Sequence, residues 1–201
     1  MTNTSIVEAR DEFIRIAKQN IKRQGIDNLL NYLCSSDFFE APASSKFHLA
    51  VPGGLCRHSL NVYKRLIREV ESEWITVEAS PYSLETITVV SLMHDLCKIN
   101  FYKIGTKNVK NEITGKWEPQ DYYYIDEELP ISHSYKSQYI LRSYINLSRE
   151  ESVAIMSHMG GFDATVKGGD FTISAAMEKF PLALLLHIAD LKASKLDEKD
   201  K

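Results

Sequence analysis

Leu92-Met93-His94-Asp95-Leu96-Cys97-Lys98-Ile99 closes an apolar helical pattern on an imidazole, a carboxylate and an ammonium. Thr88, Val89, Leu92 and Met93 recur at helical spacing behind Ser83, whose hydroxyl is placed to cap the first turn, and this predicts a helix from 83 to about 99. On that helix Lys98 follows His94 by four positions and Asp95 by three, so it shares their face.

Outward from this stretch the chain reads as helical on both sides. Ile6, Phe13, Ile14, Ala17 and Ile21 recur at three, four and seven, behind a Ser5-to-Glu8 capping box and before Gly25, the pattern of an amphipathic helix. A shorter helix is expected at 28–34. Pro42, Pro52 and Gly53-Gly54 break the periodicity over 35–54, an ordered loop that leads into a long helix over 55–74 with His58 in its first turns. Between 100 and 130 the pattern changes. Thr114-Gly115 signals a turn, and Trp117, Tyr122, Tyr123, Tyr124 and Ile125 favour extended structure, so a small β-hairpin is expected around 105–126. Helical patterning returns over 132–146, again from Ser148 with a capping box to Glu151, and from Pro181, suited to a first helical position, to about 196. The expected fold class is all-α: a helical bundle with one inserted hairpin, forming a single domain over 1–201 with an N-terminal extension at 1–35 and a core at 53–196.

A chain of 201 residues, 44% hydrophobic and 25% charged, with only 9 Gly and 6 Pro, is not collagenous, low-complexity or largely disordered. Lys+Arg 24 against Asp+Glu 27 leaves a net charge of -3, so no global basic field exists to hold a nucleic-acid backbone. Glu8, Asp11 and Glu12 stand where a signal peptide needs an apolar run, and the apolar stretch 182–186 is too short to span a bilayer. A cytoplasmic protein without membrane contact is the expectation. Cys34, Cys56 and Cys97 follow neither a CxxC nor a secreted disulfide spacing, which reads as reduced thiols.

His58, His94, Asp95, His133, His158 and Asp190 are distributed over separate predicted helices. One helical histidine is ordinarily a satisfied core or surface residue. Four of them with two aspartates point instead to ligands converging in a bundle core. Their order resembles the HD superfamily of metal-dependent phosphohydrolases, whose signature is a histidine, then His-Asp, then a late aspartate. Here it reads Leu55-Cys56-Arg57-His58-Ser59-Leu60, then the 92–99 stretch, then His187-Ile188-Ala189-Asp190. His133, in Leu129-Pro130-Ile131-Ser132-His133, and His158, in Met156-Ser157-His158-Met159-Gly160, are similar to the two extra histidines of the branch that binds two metals. Cys97 departs from the pattern, standing where many members have glycine.

This resemblance implies an HD-domain-like helical bundle with His58, His94, Asp95, His133, His158 and Asp190 as metal ligands. The donor chemistry agrees: Asp95 has two oxygens and can bridge two cations, with His58, His94 and Asp190 completing one and His133 and His158 the other. Imidazole-rich ligation suits two divalent ions of Fe, Mn, Co, Ni or Zn better than Mg. Two carboxylates against two such ions leave a local positive charge, so the substrate should be a small anionic phosphate compound. Asp95 and Lys98 are the implied catalytic residues, with Lys98 also holding the substrate phosphate while a metal-bridging hydroxide attacks phosphorus. His48, in the loop before the ligand helix, and Lys136 are further candidate substrate contacts, with Asn61 and Ser137 in a surrounding ring. His187 reads as buried within its apolar run. Trp117 and Tyr122, Tyr123 and Tyr124 suit either a lid that stacks on a nucleobase or the hairpin's own packing. The leading expectation is hydrolysis of a phosphomonoester or phosphodiester in a nucleotide or short oligonucleotide. The alternatives are a di-iron oxygenase of the inositol oxygenase type and a metal-binding regulatory module without turnover.

Overall fold

The computed structural model describes residues 3–199, and the side chains of all of these except 3, 4, 164 and 165; the two ends of the 1–201 domain lie outside it. Helices α1 (Asn3–Asn20), α2 (Ile26–Ser35), α3 (Gly54–Trp74) and α4 (Leu84–Met93) precede an antiparallel hairpin of β1 (Tyr102–Lys110) and β2 (Trp117–Ile125). Then come α5 (His133–Arg142), α6 (Arg149–Ser157), the short α7 (Ala164–Lys167), α8 (Thr172–Lys179) and α9 (Pro181–Lys192). The fold is therefore all-α with one small two-stranded hairpin, as the patterning predicts.

Helix α4 is buried at every position from Ile87 to Met93, because a helix apolar around its whole circumference gains most by lying inside. It packs against α1, α3 and α6, and α3 and α6 both pack on α9. Phe13, Phe38 and Phe39 meet edge to face at 5.1 and 5.6 Å and seal α1 to the loop that follows α2. Each such buried ring or leucine contributes about 1.5–3 kcal/mol.

Local signals explain three of the helix starts. The Ser83 hydroxyl accepts the Thr86 N–H, Ser148 and Glu151 form a reciprocal capping box, and Pro181 opens α9. The Ser5-to-Glu8 box is corrected: α1 is already helical at Asn3, so Ser5 lies within the helix and not at its N-cap. The stretch between α6 and α9, for which the patterning predicts no helix, contains α7 and α8. Helix α8 has no fully buried residue; its apolar positions Ile173, Ala176 and Met177 share one face, and Met177 packs against the core.

Three departures from regular helix place the polar residues. Helix α4 stops at Met93 rather than near 99; Asp95 takes φ -110 and ψ 23, and a 3-10 turn, Leu96–Lys98, follows. Helix α6 ends in the same way, with His158 as its C-cap and a 3-10 turn, Gly160–Phe162, after it. Beyond α9 a wide π-turn, Ala193–Asp197, swings the chain back so that Glu198 is buried. The 36–53 loop is bonded onto α3 by Gly53 N–H to the Glu40 carbonyl and Leu55 N–H to the Ala41 carbonyl, both at 2.9 Å. A Cβ on Gly54 would fall 2.1 Å from the Leu49 carbonyl oxygen, so only glycine permits this approach, which sets His48 beside His58.

Candidate metal centre

His94 and His158 sit at helix C-caps, where the last carbonyls lack intrahelical partners. Each takes one: His94 Nδ1–H donates to the Ser91 carbonyl at 2.8 Å and His158 Nδ1–H to the Ile155 carbonyl at 2.7 Å. A carbonyl can only accept, so the proton is on Nδ1 and the Nε2 lone pair faces away from the helix. His58 is set likewise by the Glu198 carboxylate, whose oxygens lie 3.0 and 3.1 Å from Nδ1. Asn61 Nδ2 donates to the same Glu198 at 2.9 Å, and Arg65 Nε holds the adjoining Asp197 at 2.7 Å.

All these Nε2 atoms converge on Asp95. Its Oδ1 is 2.8 Å from His133 Nε2 and 3.6 Å from His158 Nε2, while its Oδ2 is 3.3 Å from His94 Nε2 and 3.6 Å from His58 Nε2. Asp190 Oδ1 lies 3.1 Å from His58 Nε2, and Lys98 Nζ lies 2.6 Å from Asp95 Oδ2. His58 Nε2 and His94 Nε2 approach to 3.3 Å, and the wholly buried Nε2 of His158 has no hydrogen-bond partner. A buried nitrogen left without a partner, as at His158, is costly unless a cation lies beside it. Metal–nitrogen bonds of about 2.0–2.1 Å put neighbouring ligand atoms roughly 3.0–3.4 Å apart, and the spacings around Asp95 run from 2.8 to 3.6 Å. Among the described residues four sets, His58-His94-Asp95, Asp95-His133-His158, His94-His158-Asp190 and His48-His58-Glu198, are close enough to hold metal ions. The C-termini of α4 and α6 add the negative ends of their helix dipoles.

Charge compensation is strong throughout. Burial alone would raise Asp95, but Lys98, His94, His133 and His158 hold it well below the usual carboxylate range. Burial works against His58 as a cation, yet Glu198 and Asp190 push it up to about 10. Burial opposes the Lys98 charge too, and Asp95 more than restores it, raising the ammonium above its ordinary value. His48 is lowered to about 4, first by burial and then by His58 and Lys98.

A cavity of about 510 Å³ opens over Asp95, Lys98 and Asp190, lined also by His48, His133, Tyr102, Phe47, Phe162 and Lys195. The structure thus brings together the six expected ligands, Lys98 and His48. Lys136 goes elsewhere: its Nζ is 2.6 Å from Glu127 Oε1 and lies over the Phe101 ring, outside the cavity lining. Ser137 Oγ accepts the Cys97 N–H at 3.1 Å, supporting the turn from behind. Of the hairpin only Tyr102 lines the cavity; Trp117 is exposed and it, Tyr122, Tyr123 and Tyr124 stand outside that lining.

Two residues were missed. His187, read as buried, is half-buried, lines the cavity and donates Nδ1–H to the His158 carbonyl at 2.7 Å; Gly160 makes room, since a Cβ there would fall 2.4 Å from its ring. Its i, i+3 spacing to Asp190 on α9 is the signal that could have found it. Glu198 lies beyond the helical pattern and gave no such signal. No family model, curated protein or solved structure matches this chain.

Proposed function

We propose that the chain is a metal-dependent phosphohydrolase that cleaves a phosphomonoester or phosphodiester in a nucleotide or short oligonucleotide, with two divalent transition-metal ions sharing Asp95. One observation carries this reading: each oxygen of the Asp95 carboxylate faces its own pair of imidazoles, His133 and His158 on Oδ1, His94 and His58 on Oδ2. His58, His94 and Asp190 would hold one ion, His133 and His158 the other. The bound metals would supply Lewis-acid activation of water and of a phosphoryl oxygen. The ligand order, similar to that of the HD superfamily, favours hydrolysis over oxygenation.

The remaining work falls to the chain itself. Lys98 stands at the cavity floor with its charge secured by Asp95, placed to bind a phosphoryl oxygen and offset the charge that grows there. His48, held neutral, lines the cavity, its buried Nε2 without a hydrogen bond and 4.0 Å from Glu198 Oε2. Lys195 adds a cation to the wall, and Phe47, Phe162 and Tyr102 present rings to a base.

A phosphoester panel assayed with added Mn or Fe tests the reading. The wild type should turn over at least one phosphoester, and Lys98→Ala should lower kcat by about 10²–10³-fold with bound metal unchanged. A metal-loaded chain that hydrolyses none, or that consumes oxygen only with iron, contradicts it.

A further inference from the structure

We propose that the hollow between the hairpin and the 36–53 loop is a second binding site, which holds the single-stranded nucleotides adjoining the phosphoester at the metal centre. The inference rests on the proposed function above and deepens it, from a nucleotide in general to a short single strand. The hollow measures about 520 Å³, close to the 510 Å³ of the metal cavity, and is lined by Lys46 from the loop and by Ile104, Lys107, Gln120, Tyr122 and Tyr123 from β1 and β2. The two spaces share their walls. Phe47 lines the metal cavity where Lys46 lines the hollow, and Tyr102 lines the metal cavity where Ile104 lines the hollow. Neighbouring Cα atoms lie about 3.8 Å apart, so a strand that leaves the cavity over the exposed Phe47 ring comes directly onto Lys46.

The lining has the chemistry that a single strand needs. Among the described residues Lys46 and Lys107 enter no ion pair, whereas Lys64, Lys98, Lys136 and Lys192 are each held by a carboxylate. The hollow's own carboxylate, Asp121, accepts the Thr106 hydroxyl at 2.9 Å. Two ammonium groups without carboxylate partners suit the phosphates of a strand. Tyr122 supplies a stacking face. Its ring rests over Gly105, where a Cβ would fall 3.1 Å away, and it remains 40% exposed with Lys107 Nζ 5.2 Å from its centre. An exposed ring flanked by a cation holds bases by stacking and leaves their identity unread, the pattern of sequence-tolerant single-strand binding. The net charge of -3 confines the grip to this local pair of cations, and so to a few nucleotides.

Fluorescence anisotropy with a labelled single-stranded hexauridylate, its linkages phosphorothioate so that they resist cleavage, tests the site, with uridine 5′-monophosphate as the competitor. The hexamer should bind the wild type about tenfold more tightly than the mononucleotide. Lys46→Ala and Lys107→Ala should each weaken it and flatten the dependence of log affinity on log salt by about 0.7. Tyr122→Ala should weaken it about tenfold with the salt slope unchanged. Both lysines are exposed, so neither substitution removes packing. A hexamer bound no more tightly than the mononucleotide, or variants that bind it as the wild type does, overturns the site. Variants that alter sedimentation and not hexamer affinity overturn it too, and make this face a contact between copies of the chain. Turnover of a mononucleotide without a gain for the hexamer leaves the proposed function standing. A hexamer held through Lys46 and Lys107 by a chain that hydrolyses no phosphoester keeps the site and overturns the function.

Discussion

Asp95 owes its position to a break in the helix. Its spacing to Lys98 predicts contact on an α-helical face, and the contact exists, but it arises because a 3-10 turn has three residues per turn and sets i+3 over i. The change from helix to turn was not legible, since nothing in Leu96-Cys97-Lys98 disfavours helix. Glu198 was hidden for another reason: an acidic residue beyond the last patterned helix ordinarily faces water, and only the π-turn carries it inward. There it holds His58 in the tautomer that aims Nε2 at Asp95. Glu198→Ala should therefore weaken metal binding about 10–100-fold in a chelator competition, and Glu198→Gln less, because the amide oxygen still accepts the His58 proton. Equal affinity in all three proteins would contradict the orienting role.

Helix ends do more than helix faces in this molecule. The capping box at Ser148 and the proline opening α9 were readable because their chemistry is local, whereas Ser5 lies inside a helix that is already formed at Asn3. The box residue Glu151 also ties α6 to the turn between α1 and α2 and to α4: Arg23 Nη1 and Nη2 donate to its two oxygens at 2.7 and 2.6 Å, and Thr86 Oγ1 donates at 2.9 Å. Burial would raise the Glu151 carboxyl, but Arg23, the Ser148 N–H and Thr86 together hold it below its ordinary value of 4.5. The unfolded chain therefore binds this proton more readily than the native one. The stabilisation is fully present above pH 4.5 and is lost as pH falls through the lower native value. Glu151→Gln should cost about 3 kcal/mol near neutral pH, with a cost that shrinks on acidification, read from denaturant midpoints across that range. A cost that does not change with pH would show that the charge is not what matters.

Across the whole molecule, α3, α4, α5, α6 and α9 each bring one end or one turn of the polar set to Asp95, which with Lys98, His133 and Asp190 lines a cavity whose sides include the loop before α3 and the turn after α9. Among the described residues no single helix is long and apolar enough to cross a membrane. The convergence was legible because histidine and aspartate are conspicuous at predicted helix ends. The destinations of Lys136 and His187 were not, because a partner such as Glu127 or the His158 carbonyl is chosen by packing rather than by spacing. Elemental analysis of the purified wild type beside Asp95→Ala tests the account most directly. It predicts about two transition-metal ions per wild-type chain and their loss from a folded Asp95→Ala variant. A wild type that takes up none, or a variant that keeps its full complement, would contradict it.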